Sequence, residues 1–521
     1  MKKHWLLLLT LIGILILSAC SGGSTIPEGE QSSGSDSSGS SPNAEGQEII
    51  YASTTDAVGL SPILTNDSVS SSVIGQVYET LFERDPKSLE LVPKLAESYE
   101  NPDELTWTIK LKEGITFQDG TPFNAEAVKY TFDKLRDPAT AAPRASLLEP
   151  VEEITAVDDT TVEIKTKYPY GSMIAALSHS NASIVSPTAD EKQDLMKEPV
   201  GTGPFKFVSW STGDQVVLEK NEDYWGGAPS LSKVTFKVVP ETSTAISMLQ
   251  TGEVNFLDAL PADQLSRIEG IENVEVTKQE GTPVYWLSPN HNTERGKNPE
   301  FRKAIAAAVD RDAIVEQLNG LGVRNDSIIG PKVFGYNEAA ATGGTAYDPE
   351  AAKKLVEENS FGDEPIKLLA ANRGTFVQMA EIVQSQLTEA GFDVQIETME
   401  WATFLDTARA GDYDLTFLSW SNVTGDGSEM LYPNFHSDNV GVSNMSQYNN
   451  PEFDKLVEQS RTTVDQAERE QYLNQANELL LKEDAGVVMY HGVITSATDK
   501  SIKGLEMDPN GQWSLYKVTR E

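Results

Sequence analysis

Cysteine occurs once in the 521 residues, at Cys20. An intrachain disulfide, a cysteine-based zinc site and a cysteine-ligated iron–sulfur cluster are therefore excluded. Histidine is almost as scarce, at His4, His179, His291, His436 and His491. Positive charge is short too: 41 Lys and Arg stand against 79 Asp and Glu, a formal net charge of −38. That balance argues against a nucleic-acid partner, which needs cations facing phosphate, and against charge-driven binding to an anionic membrane. It suits solubility. No HExxH, Walker A, GxSxG or EF-hand pattern occurs, so the common signatures of catalysis and of a bound cofactor are missing.

What is present begins with an address. Lys2 and Lys3 precede a mostly apolar run over residues 5–17. The run is shorter than the roughly 20 residues a membrane span needs, and it predicts an export signal over residues 1–19. Leu17-Ser18-Ala19-Cys20 follows at once. This tetrapeptide resembles the lipobox of bacterial lipoproteins, which implies cleavage before Cys20 and lipidation of its thiol. Such an anchor carries two acyl chains, enough for stable attachment where one is marginal. Residues 21–46 are dominated by Ser and Gly and read as a flexible linker spanning roughly 25–30 Å. The layout is a body tethered to the extracellular face of the cell membrane.

Hydrophobic residues make up 39% of the chain, enough for packed cores, and the length suggests about three to four units. Residues 105–111 and 161–166 alternate as half-buried strands. Asn124 is placed to cap a helix over 125–135, and Asn298-Pro299, Asp348-Pro349 and Asn450-Pro451 each pair an N-cap with a proline in the first turn. Residues 205–208 and 216–220 read as a hairpin. The clearest segment is 366–420, which reads β-α-β-α-β and predicts a parallel sheet with helical crossovers.

That segment points to a site. In open α/β sheets, ligands bind beyond the carboxyl ends of the strands. Asn372-Arg373-Gly374 follows the first strand, and Trp420-Ser421-Asn422-Val423-Thr424-Gly425-Asp426 follows the last. Arg373 offers a bidentate fit to a carboxylate, and Trp420 a broad apolar wall with one N–H donor. Each has a blander alternative: a solvated charge for Arg373, core packing for Trp420, an Asx turn for Asp426. Asn290-His291-Asn292 reads as a loop joining two lobes, Tyr224-Trp225 as structural packing, and Glu152-Glu153 and Asp158-Asp159 as turn charges without a catalytic dyad.

Six motifs carry a resemblance. They are Tyr78-Glu79-Thr80-Leu81-Phe82, Lys94-Leu95-Ala96-Glu97-Ser98, the stretch 107–123, Gly201-Thr202-Gly203-Pro204-Phe205, Asn221-Glu222-Asp223-Tyr224-Trp225 and Arg302-Lys303-Ala304-Ile305. In that order they resemble the family 5 extracellular solute-binding proteins, the peptide- and nickel-binding group of ABC importers. The resemblance runs from about residue 48 to the end. It implies an α/β fold of the type II periplasmic-binding-protein kind, bilobal with an additional lobe, its discontinuous domains set around a ligand cleft. Lobe I would comprise 47–80, 196–285 and 480–521, lobe II the insertion 81–195, and lobe III residues 286–479. Ligand would sit between lobes that close by hinge motion. The implied role is capture without catalysis or cofactor. The implied partners are a small peptide, a membrane permease with its ATPase, and the membrane through the lipid anchor; the receptor itself would be a monomer.

The resemblance also assigns residues. Dipeptide binders of the family carry an Arg where Arg373 stands, clamping the peptide carboxylate. They carry an Asp three residues after the strand-end Trp, pairing with the α-amine; here that position is Val423, which cannot accept from an ammonium. Relatives assigned to glutathione also lack the Asp and carry a Trp-Ser-x-x-Thr-Gly-acid sequence similar to residues 420–426. The implied ligand set is Arg373, Trp420, Ser421, Val423, Thr424 and Asp426, with Asp426 or a neighbour meeting the displaced amine of a γ-glutamyl peptide. Rival expectations are a nickel chelate as ligand and a peptide-sensing lipoprotein uncoupled from transport. An exported hydrolase would need a triad or metal set that the sequence does not display.

Overall fold

Two long antiparallel strands, Val274–Pro289 and Val487–Asp499, organise the molecule. The computed structural model describes residues 47–86, 89–372 and 374–521; the signal, lipidation and linker readings, Cys20 and Arg373 lie outside the described residues. The two strands form the middle of an 11-stranded sheet. On one side follow Phe256–Asp258, Glu48–Ser53, Lys233–Val238, Gln215–Lys220 and Phe205–Ser211, and the short Gly322–Val323 strand pairs with Val487–Asp499; on the other side follow Leu415–Trp420, Ile366–Ala371 and Val394–Met399. The last three are mutually parallel, as the β-α-β-α-β pattern predicts, with Ile366–Ala371 in the centre. A separate four-stranded antiparallel sheet contains Ala96–Asp103, Thr106–Leu111, Thr161–Thr166 and Val151–Asp158.

Apolar side chains collect in two large cores. The first draws on residues from Ile49 to Phe256 and on the C-terminal stretch around Trp513 and Val518. The second runs from Val284 to Tyr490 and includes Trp286, Phe301, Leu369, Phe417 and Phe435. A smaller cluster around Ile246, Leu249 and Ile268 packs beside the first. The two long strands pass from the second core into the smaller cluster, with Ile494 packed against the first core, and their register slips between Glu280 and Val284. Pro283 lacks an N–H for the ladder there. The Thr282 amide instead donates to the Pro509 carbonyl, and its hydroxyl to Asn510.

Residues 290–292 form a turn, as the sequence predicts, but the crossing is made by the strand before them. Asn290 lies just past the Val274–Pro289 strand and is buried, its amide donating to the Gly411 and Tyr413 carbonyls. The three predicted proline-linked caps form: Asn298, Asp348 and Asn450 each accept from a backbone N–H in the following first turn.

The family motifs meet at Glu79. This buried carboxylate accepts from the Thr202 hydroxyl at 2.8 Å, the Tyr224 hydroxyl at 2.6 Å and the Trp225 indole N–H at 2.7 Å, with the Lys94 ammonium 3.6 Å away. Gly201 is required beside it, because a Cβ there would overlap the Val77 carbonyl oxygen. Four of the recognisable motifs thus build one polar joint inside the first core.

Burial also creates a pH dependence. Desolvation lowers His179, His291 and His491 to about 3, 4 and 4, against an ordinary 6.5. Between pH 6.5 and 4 the unfolded chain binds protons there that the folded chain refuses, so these groups destabilise the fold as pH falls. Asp508 acts oppositely. Burial raises its carboxyl to about 6, so its contribution is present below its unfolded pKa and lost as pH rises through 6. Asp258, Glu429 and Asp484 are raised by burial in the same sense as Asp508, and against them the three histidines are expected to lower the melting temperature at pH 4.5 relative to pH 7. His179→Asn retains an acceptor for the Asn181 amide that His179 now takes and is expected to flatten that slope. A melting curve whose pH slope does not change in the variant would show that His179 is not desolvated.

Candidate functional site

The Leu415–Trp420 strand is apolar over Leu415, Phe417 and Leu418 because it is covered on both faces. It delivers the 420–427 loop to the rim where its parallel neighbour Ile366–Ala371 also ends. Trp420 is half-buried, with its indole N–H unpartnered among the described residues. Ser421 is exposed. Asn422 is buried and donates its side-chain amide to the Asp426 carbonyl at 2.7 Å. Its Oδ1 has no partner among the described residues. Val423 is half-buried, and its carbonyl accepts from the Asn510 side chain at 3.2 Å.

Thr424 and Asp426 are committed to the loop itself. The Thr424 amide and hydroxyl both donate to Glu429 Oε2, at 2.7 and 2.6 Å. The Thr424 carbonyl accepts from the Arg84 guanidinium. Asp426 caps the Gly427–Phe435 helix, its Oδ1 accepting from the Ser428 amide at 3.0 Å and hydroxyl at 2.6 Å. Its Oδ2 accepts from Arg469 at 2.7 Å. Burial pushes this carboxyl up, but the Arg469 charge and the Ser428 hydrogen bonds outweigh it and hold it below the usual range. Asp426 is 4% exposed and Arg469 1%, so the pair is sealed from water.

Arg469 reaches further. Its Nε donates to the Ser460 carbonyl, Nη1 to Gln466, and Nη2 to the Ser172 hydroxyl as well as to Asp426. Ser172 belongs to the segment around the first core, and the adjoining Gly171 amide donates to the Arg461 carbonyl. The two cores are thus docked beside the loop.

Among the expected ligand residues, Trp420, Ser421, Val423, Thr424 and Asp426 form one continuous loop. Arg84, Glu429, Arg469 and Asn510 surround that loop and were not expected. They lie between 5 and 340 positions from their loop partners, and no local motif marks them. Burial raises the Glu429 carboxyl above its usual range, against the two Thr424 donors. A crevice of about 180 Å³ lies close by, lined by Pro86, Leu89, Gln279, Glu280, Lys332 and Pro509. A larger groove of about 620 Å³, between Asp133 and Lys167, includes none of the loop residues. Among the described residues no group of three or more His, Cys, Asp or Glu is placed to hold a metal ion.

Residues 90–442 match the profile of bacterial extracellular solute-binding proteins, family 5 Middle. The chain is 30% identical over 488 residues to the glutathione-binding protein GsiB of Escherichia coli (strain K12), an alignment covering 90% of this chain and 94% of that protein. Among solved structures it is similar to the ABC transporter-associated periplasmic binding protein DppA from Helicobacter pylori in complex with the peptide STSA. That likeness is 27% identical with a TM-score of 0.77, over 91% of this chain and 98% of that one. It is also similar to the ABC transporter substrate binding protein CtaP from Listeria monocytogenes, 25% identical with a TM-score of 0.83, over 91% and 99%.

The geometry at Asp426 makes a stability prediction. Removing one member of a buried ion pair leaves the other charge uncompensated, at a cost of about 3–5 kcal/mol. Asp426→Ala is expected to lose that much unfolding free energy in urea titration. A loss under about 1 kcal/mol would place the carboxylate in solvent, free for a ligand.

Proposed function

We propose that this chain, which belongs to the family 5 bacterial extracellular solute-binding proteins, is the lipid-anchored receptor of an ABC importer for small peptides, with glutathione or another γ-glutamyl peptide as ligand. Its α/β fold is the type II periplasmic-binding-protein fold that the sequence motifs imply. The anchor is Cys20, and the receptor acts as a monomer on the extracellular face of the membrane. The two cores close on the ligand about the slipped register at 281–283, and the closed form docks on the permease. ATP hydrolysis belongs to the partner ATPase.

The observation that carries the ligand choice is the absence of a free carboxylate at the tip of the loop. Val423 supplies none, and both oxygens of Asp426 are in use. Glu429 commits only Oε2 to Thr424, so it is the neighbouring acid that can meet an ammonium. A γ-glutamyl peptide carries its α-amine off the main backbone, which suits an acceptor displaced from position 423. The similarity to GsiB, named for glutathione binding, points the same way. In this reading Arg373 takes a ligand carboxylate, Trp420 walls the pocket and offers its unpartnered N–H, and Ser421, Val423 and Thr424 line it. Asp426 shapes the loop.

A thermal-shift and calorimetry panel tests the reading with reduced and oxidised glutathione, ordinary di- to pentapeptides, and nickel with and without chelators. A ligand at about 100 times its Kd adds roughly 2.7 kcal/mol, a shift of degrees. Glutathione is expected to stabilise the protein and ordinary dipeptides are not. Arg373→Ala is expected to weaken glutathione binding about ten- to a hundredfold, the worth of a charged hydrogen bond. Val423→Asp is expected to gain binding of ordinary dipeptides. Stabilisation of the wild type by ordinary dipeptides would overturn the ligand choice, and stabilisation by chelated nickel alone would replace it.

A further inference from the structure

Arg84 ends the Phe82–Arg84 strand, whose Phe82 is buried in the first core. Its guanidinium nevertheless works on the second. Nη1 donates to the Leu89 carbonyl within its own hairpin, and Nη2 donates to the Thr424 carbonyl, 340 positions away, in the loop assigned to the ligand. We infer that Arg84 is a positioning residue for ligand capture, which holds the 420–427 loop in shape from the opposite core and latches the two cores closed. The inference rests on the proposed binding role of that loop.

Three observations converge on it. The first is Gly425. It adopts φ +67°, and a Cβ there would overlap the Arg84 guanidinium. Glycine at this position thus serves the left-handed turn and the close approach of the arginine together. The second is the choice of acceptor. Arg84 grips Thr424, and Asn510 grips Val423, through main-chain carbonyls. Neither grip uses the Ser421 or Val423 side chain, while the path of the loop is fixed. The third is charge. Asp426, Asp508 and Glu429 surround the guanidinium; burial lowers its pKa and these carboxylates oppose that effect. An arginine remains protonated throughout. Its bond to Thr424 is therefore charge-assisted, and stronger than the neutral contact from Asn510.

The two ends of this bond belong to different cores, so any opening about the 281–283 crossing must break it. Ligand escape then waits for the latch. Arg84 is expected to act on the dissociation rate, with little effect on association.

Two measurements on the full chain test this. In hydrogen–deuterium exchange on ligand-free protein, Arg84→Ala is expected to speed exchange of the 423–427 amides about ten- to a hundredfold and to leave the Ile366–Ala371 strand unchanged. A merely structural role would raise exchange in the 82–93 hairpin and leave the loop as it was, which would overturn the inference. In stopped-flow binding with glutathione, Arg84→Ala is expected to speed dissociation by a similar factor, with Arg84→Lys, which keeps the charge and the stem, intermediate. Equal dissociation rates in wild type and Arg84→Ala would also overturn it. Should Arg84→Ala fold poorly, Arg84→Lys carries both arms, and no change in either would be equally decisive. If wild type binds none of the panel peptides, the peptide reading falls, and the exchange measurement alone decides the role of Arg84.

Discussion

The buried pair Asp426–Arg469 is the contact on which the geometry of the site depends. Removing two charges from water costs several kcal/mol per ion, and mutual attraction offsets this only where the remaining donors and acceptors are satisfied. Here they are. Asp426 adds two bonds from Ser428, and Arg469 adds bonds to Ser460, Gln466 and Ser172. One pair thereby starts the Gly427–Phe435 helix, ties it to Pro451–Thr462 and Gln466–Lys482, and meets the segment around the first core. A hydrophobic replacement could match the stability. It could not specify so many directions at once. The loop from 420 onward is fixed at one end by a β-strand and at the other by this pair.

A second polar joint, at Glu79, explains why the family signature is easy to recognise and says little about the ligand. Thr202, Tyr224, Trp225 and Lys94 all converge on that carboxylate. Arg302, from another motif, spends its donors on the carbonyls of Gly296, Lys297 and Glu483. These motifs encode how the scaffold closes on itself. In the proposed reading, ligand choice rests on a short loop around Val423 that none of these motifs includes.

Local structure was legible in the sequence because its causes are local. The Asn298-Pro299, Asp348-Pro349 and Asn450-Pro451 pairs each start a helix, and the 366–420 segment alternates periods clearly enough to predict its parallel sheet. The Val274–Pro289 strand was not legible. Its first half is polar, with Glu275, Lys278, Gln279 and Glu280, and Gly281-Thr282-Pro283 breaks the alternation that marks a strand. Only pairing with Val487–Asp499, some two hundred positions away, makes it one. Asp426 shows the same limit at the site. Its acidity and its turn-forming neighbours are visible in sequence, whereas the arginine that occupies it stands 43 positions on. From its neighbours Asp426 reads as a turn or a ligand contact, and the partner that settles it as a cap is not visible beside it.

The way the two cores meet suits a receptor that must release what it captures. The two apolar clusters remain distinct. The contacts joining the cores around the loop are polar: Arg84 to Thr424, Asn510 to Val423, Ser172 to Ser428 and Arg469, and Gly171 to Arg461. Each such bond contributes about 0.5–1.5 kcal/mol net, somewhat more where a charge takes part. Together they supply a few kcal/mol, comparable with the binding energy of a micromolar ligand at working concentration. Closing instead by burying about 1,000 Å² of apolar surface would contribute on the order of 25 kcal/mol before costs, and no ligand of this size could govern that equilibrium. A weak, polar and direction-specific closure lets the ligand decide which state prevails.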